Sequence, residues 1–166
     1  MASASGLDFN QRIQCRELAV QAAKLAHAHR AQVHYTEGRD RWLGITMKRV
    51  AADGEFAHFA DCSSFVTWCL WNGLAHVFNT KDVVNGKAWK AGYTGTMYDN
   101  GMVVQDRANV LRGDCVLYGP PPGAHVAIVI GRMNGTPMVI SHGSEPGPFY
   151  LAYDYRPDVH QIRRYI

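Results

Sequence analysis

Apolar positions recur at three- and four-residue spacing from about Phe9 to Arg30. Cys15, Leu18, Ala22 and Leu25 line one side, while Arg12, Arg16, Glu17, Gln21 and Lys24 fall elsewhere. The spacing predicts an amphipathic helix opened by Asp8 as its cap. His27 and His29 fall at its far end, where solvation is the expected state. Periodicity then lapses. Residues 31–60 carry Gly38, Gly44 and Gly54 and read mostly as loop, with Tyr35 and Trp42 as aromatic anchors that could also wall a groove. A second apolar block runs from Cys62 to Gly73, where Phe65, Val66, Trp68, Cys69, Leu70 and Trp71 point in nearly every direction around a helix axis. This helix is expected to be buried on most sides. Asp61 is its predicted cap, and Gly73 its predicted stop through a left-handed residue. Residues 75–112 are again loop-rich, through Gly92-Tyr93-Thr94-Gly95-Thr96-Met97-Tyr98.

From Asp114 the pattern changes to short β-runs. Cys115–Tyr118 is followed by Gly119-Pro120-Pro121-Pro122-Gly123, which cannot continue a strand. His125–Gly131 is apolar on both faces and predicts a central strand. Asn134-Gly135 predicts a two-residue hairpin turn, and Met138–His142 the returning strand. Leu151–Tyr155 and His160–Ile166 read as closing strands. A helical first half followed by an antiparallel sheet makes the chain α+β, and residues 1–166 read as a single domain.

The 166 residues suffice for one core, and 47% hydrophobic with 19% charged residues is a globular balance. A net charge of +3 without a basic run gives no nucleic-acid face. No stretch approaches about 20 apolar residues, so no membrane insertion is expected. The first twelve residues lack a signal-peptide core. Of four cysteines, Cys62 and Cys69 stand roughly 10 Å apart along one helix, beyond disulfide reach. Cys15 and Cys115 sit in apolar segments. No C-x-x-C or H-E-x-x-H spacing exists, so reduced thiols, no metal and no cofactor are expected.

Candidate chemistry concentrates at Cys62, which opens the buried helix at the positive end of its dipole, where thiolate is favoured. The hairpin offers it a base. A two-residue turn pairs Met133 with Thr136, which places His125 opposite Ser144 and Ala127 opposite His142. His125 and His142 are then diagonal neighbours on one face, about 7–8 Å apart by backbone. A one-residue slip would separate them. On this register His125 takes the thiol proton or holds it in an ion pair, and His142 fixes the tautomer of His125. The Cys62 amide faces the position of a tetrahedral oxyanion. The implied chemistry is acyl transfer to a thiol, then hydrolysis. No G-x-S-x-G elbow or phosphate loop competes.

Three blocks carry a resemblance: Asp61-Cys62-Ser63-Ser64-Phe65-Val66, Gly113-Asp114 leading to His125–Gly131, and Val139–His142. Together they resemble the signature of NlpC-type cell-wall cysteine peptidases. The resemblance implies a papain-like fold with the nucleophile helix packed on a C-terminal antiparallel sheet. It implies Cys62 as nucleophile, His125 as base and His142 as third polar residue, with Tyr35, Asp61 and Ser63 lining the substrate site. The implied partner is a peptidoglycan stem peptide, cut between D-glutamate and the following diamino acid by a monomeric enzyme. Gly92–Gly95, Ser141–Pro148 and Tyr155–Ile166 are most similar to the peptidase domain of endolysins from phages of mycobacteria and related actinobacteria. That likeness implies a bacteriolytic protein made in the host cytoplasm and released to the wall by a holin. Ser64 departs from the family, which usually has glycine there, and so brings a side chain beside the nucleophile. Three other readings stand beside this one: an N-acetylmuramoyl-L-alanine amidase on the same fold, a non-catalytic wall-binding or virion module, and a metal-binding protein using Cys62, His125 and His142.

Overall fold

The computed structural model describes residues 6–46 and 54–166, so the loop expected over 31–60 lies partly outside the described residues, at 47–53. Helix α1 spans Phe9–Ala28. The Asp8 carboxylate accepts the Gln11 amide at 2.8 Å, and the Gln11 side chain accepts the Asp8 amide at 2.9 Å. This reciprocal box satisfies two donors that a helix start leaves open. The buried side of α1 is Cys15 and Val20 with the stripe Ala19, Ala22, Ala23 and Ala26, while Leu18 and Leu25 are only half-buried. Small side chains let a second helix approach closely.

Two short strands follow, β1 (His34–Tyr35) and β2 (Phe59–Ala60), paired in parallel with Tyr35 beside Ala60. Long-range pairing, invisible to local periodicity, makes strands of residues that read as loop. Next come α2 (Cys62–Gly73), α3 (Ala75–Phe78) and α4 (Thr94–Tyr98). Helix α2 is the core of the molecule: Phe65, Val66, Trp68, Cys69 and Leu70 are all buried. Gly73 is its last helical residue, with the cap at Leu74 (φ −101°), so it is not a left-handed stop. A Cβ on Gly73 would lie 2.2 Å from the Cys15 carbonyl oxygen, so the glycine is needed where α2 meets the α1 backbone. Between α3 and α4 the buried carboxylate of Asp82 accepts the amides of Val84 and Asn85, both at 2.9 Å, and of Trp89 at 3.2 Å. One side chain thus fixes a segment that has no periodicity of its own.

The sheet contains β3 (Met102–Val103), β4 (Cys115–Tyr118), β5 (His125–Met133), β6 (Thr136–Ser141), β7 (Phe149–Ala152) and β8 (Val159–Arg164). All pairs are antiparallel, in the order β3-β8-β4-β5-β6-β7. The closing strands therefore start and end earlier than expected. Val126, Ile128 and Ile140 face the helices, whereas Ala127, Val129 and Val139 pack with Val116, Tyr118, Tyr153 and Ile162 on the other face. Fully buried Asp114 ties the start of β4 to the end of β8: it accepts two Arg164 guanidinium bonds at 2.8 and 2.7 Å and the Leu111 amide at 2.7 Å.

The hairpin register departs from the expected one. Asn134 (φ 50°) and Gly135 (φ 82°) form the predicted turn, and Met133 pairs with Thr136. Gly131 then pairs with Met138, but Val129 pairs with Val139, which leaves Ile130 unmatched. This bulge shifts the rest of the ladder by one residue and reverses which neighbours share a face. Continued from Ile128 opposite Ile140, the ladder brings Ala127 opposite Ser141 and His125 opposite Gly143. The pairings of His125 with Ser144 and of Ala127 with His142 do not form.

Candidate active site

Cys62 is the first residue of α2, and its local geometry begins with Asp61. The Asp61 carboxylate accepts the Ser64 amide at 2.7 Å and the Ser63 hydroxyl at 3.0 Å, and it pairs with the Arg41 guanidinium. In return Ser64 Oγ accepts the Asp61 amide at 2.9 Å. Ser64 is fully buried and closes this box, so its side chain turns away from the thiol rather than narrowing the space beside it. Asp61 and Ser63 are also buried, with their polar atoms committed to the helix start. That differs from the substrate-lining role expected of the two side chains. Arg41, which sequence reasoning missed, lies 5.0 Å from the Trp42 ring centroid and anchors the Arg39–Thr46 turn to this corner.

The Val126 amide stands near enough to the Cys62 sulfur to favour its charged form, which places the thiol near the start of β5, one position along the chain from His125. The His125 ring is buried, 5.7 Å from the Tyr118 ring, with Gly143 against its edge. A Cβ at Gly143 would meet Cε1 at 2.8 Å, which explains glycine after His142. His125 Nε2 is bonded to Ser141 Oγ at 2.6 Å, and Ser141 Oγ to the Tyr155 hydroxyl at 3.0 Å. Ser141 therefore holds the ring, in place of the expected His142. With Nε2 occupied, Nδ1 is the nitrogen left for the thiol.

His142 lies on the helix side, fully buried between Tyr35 (ring centroids 5.6 Å) and Phe65 (5.8 Å). Among the described residues neither of its ring nitrogens makes a hydrogen bond, although the His34 and Ala60 carbonyls stand near enough to favour its protonated form. Burial outweighs them and lowers its pKa. Tyr35 is half-buried, its hydroxyl donating to Glu37 at 3.1 Å, and it is pushed up to about 12 by burial first and then by the charge that Cys62 would carry. Glu145 reaches across from the loop after β6 and accepts the Tyr35 amide at 2.7 Å.

The surroundings of Cys62 run against the expected thiolate. Burial, then the Asp61 carboxylate, pushes Cys62 up to about 11, against the pull of the amides of Val126, Ser63 and Cys62 itself. Burial pulls His125 down to about 4, helped by Arg156 and His142 and opposed by Asp158 and Asp61. Both shifts favour a neutral thiol beside a neutral imidazole, a nucleophile awaiting general-base catalysis. A groove of about 670 Å³ lies elsewhere, between α1 and the bulged part of β5, with Arg16, Arg112, Ile130 and Tyr150 among its walls.

The arrangement of helices and sheet is shared with solved structures. The P60 domain of an antigen from Mycobacterium avium subspecies paratuberculosis superposes with TM-score 0.56 at 22% identity, over 93% of this chain and 97% of that one. The chain has the NlpC/P60 fold. A hypothetical invasion protein of Mycobacterium tuberculosis matches at TM-score 0.59 and 18% identity, over 99% of this chain and 69% of that one. An NlpC protein of Trichomonas vaginalis matches at 0.54 and 21%, over 90% of this chain. The chain spans only 44% and 49% of the two Trichomonas NlpC proteins it resembles. No protein-family model and no curated protein matches the sequence. Within the NlpC/P60 fold, Ser141 and Tyr155 are the site residues that sequence reasoning missed. Gly131, isolated within a strand, was the available signal of a bulge.

Proposed function

We propose that the protein is a cysteine peptidase of bacterial cell-wall peptidoglycan, cutting stem peptides at the bond between D-glutamate and the following diamino acid. The observation that carries this reading is the Cys62 thiol at the start of α2, near the Val126 amide of β5, with His125 one residue before it held at Nε2. His125 Nδ1 takes the thiol proton as sulfur attacks the scissile carbonyl, and the oxyanion develops toward the free amides at the start of α2. The proton passes to the leaving amine, and water, activated by the same nitrogen, hydrolyses the thioester. Solved domains titled as NlpC and P60 proteins share the fold, which is consistent with this chemistry. The sequence likeness to actinophage endolysins extends the reading to a monomeric bacteriolytic enzyme that meets the wall after holin-type release.

Purified mycobacterial peptidoglycan, treated with wild type and with Cys62→Ala, tests this by mass spectrometry of the soluble products. New stem fragments from wild type alone are expected, and their masses name the bond, including the amidase bond between muramic acid and L-alanine. Equal release by both proteins excludes Cys62 as nucleophile. Sedimentation of both with the wall and no release replaces the enzyme with a binding module.

A further inference from the structure

The base has a remote support that the thiol–imidazole pair alone does not explain. Ser141, the last residue of β6, is buried, and among the described residues its hydroxyl is hydrogen-bonded to His125 Nε2 at 2.6 Å and the Tyr155 hydroxyl at 3.0 Å. A serine hydroxyl has one hydrogen to give, so its two neighbours compete for it. If that hydrogen points at Nε2, the imidazole must carry its own proton on Nδ1, and the nitrogen not held by Ser141 is no longer a base. If it points at Tyr155, Ser141 presents only lone pairs to the ring, and Nε2 must be the protonated nitrogen. Tyr155 can take that hydrogen, because it is 40% exposed and its own O–H is free to donate to solvent. The ring of Tyr155 is held edge-on to Tyr118 at 5.5 Å, and Tyr118 in turn packs on His125.

We propose that Tyr155 is a positioning residue that selects the catalytic tautomer of His125 through Ser141. The bonds run one way: His125 Nε2–H donates to Ser141, Ser141 donates to Tyr155, and Tyr155 donates to solvent. The chain keeps Nδ1 free to receive the thiol proton, a task for which the family resemblance pointed to His142. This rests on the reading of His125 as base, but its principal readout needs no substrate.

Proton–nitrogen NMR correlation of the histidine rings in the full chain distinguishes the two tautomers. His125 in wild type is expected with its proton on Nε2. Tyr155→Phe is expected to bring in the Nδ1-protonated form, while Ser141→Thr, which keeps the hydroxyl, retains the wild-type pattern. On released wall fragments Tyr155→Phe is expected to lower kcat about tenfold with KM unchanged, the loss of one neutral hydrogen bond. Adding Tyr155→Phe to Ser141→Ala should then cost nothing more. An unchanged His125 tautomer in Tyr155→Phe overturns the proposal, as does a full tenfold loss in both backgrounds. If wild type releases no fragments, the peptidase reading fails, and the ring spectra alone still decide the tautomer.

Discussion

Cys62 is the one half-exposed thiol, since Cys15, Cys69 and Cys115 are all buried. Iodoacetamide under native conditions is therefore expected to label Cys62 first, with a rate that climbs with pH toward about 11. Peptide mapping over a pH series checks both points. A rate already flat between pH 5 and 9 means a resting thiolate–imidazolium pair and sinks the neutral one. Cys62 and His125 were legible in the sequence because each opens its element, where a cap or a strand start marks the position. Ser141 was not legible, because its face depends on parity along β6, and one unmatched residue in β5 reverses it. Tyr155 lies between strands, in a stretch with no period to read. Ser64 misled in the opposite direction. Its departure from glycine suggested a change beside the nucleophile, whereas the hydroxyl closes the helix box behind it.

At the scale of elements, the long apolar runs were read well. Helices α1 and α2, strands β4 and β5 and the Asn134-Gly135 turn all follow from local pattern. The short pieces were not legible, because β1, β2 and β3 exist only through partners distant in sequence. Buried carboxylates organise other aperiodic stretches, Asp82 within the loop between α3 and α4 and Asp114 ahead of β4. The Asp114–Arg164 pair is nearly solvent-free, with side chains 1% and 16% exposed. Asp114→Asn leaves the guanidinium without its counter-charge and is expected to destabilise the fold by about 3 kcal/mol. Urea unfolding measures this, and an unchanged midpoint shows that desolvation had cancelled the attraction. Tautomer and wall cleavage should be unaffected, since Asp114 acts on β8 and not on Cys62.

For the whole molecule, two buried histidines tie folding to pH. His125, near 4 when folded, and His142, also lowered, both take up protons more readily once the chain unfolds. Between about pH 6.5 and 4 the unfolded state binds the extra protons, so stability is full above that window and falls with acidification through it. His125 alone accounts for about 3 kcal/mol across the window. Thermal melts at pH 7.5 and 4.5 are expected to differ, with His125→Gln flattening the slope; identical slopes would exclude His125 as its source. The bulge at Ile130 has a consequence for how such a site tolerates change. Strand faces alternate, so removing one residue from β5 would hand the neighbourhood of His125 from Ser141 to His142. Two adjacent side chains, each able to bond an imidazole, make the pair of positions indifferent to odd or even registers. An insertion or deletion in this strand would exchange one partner of the base for another instead of leaving it with none.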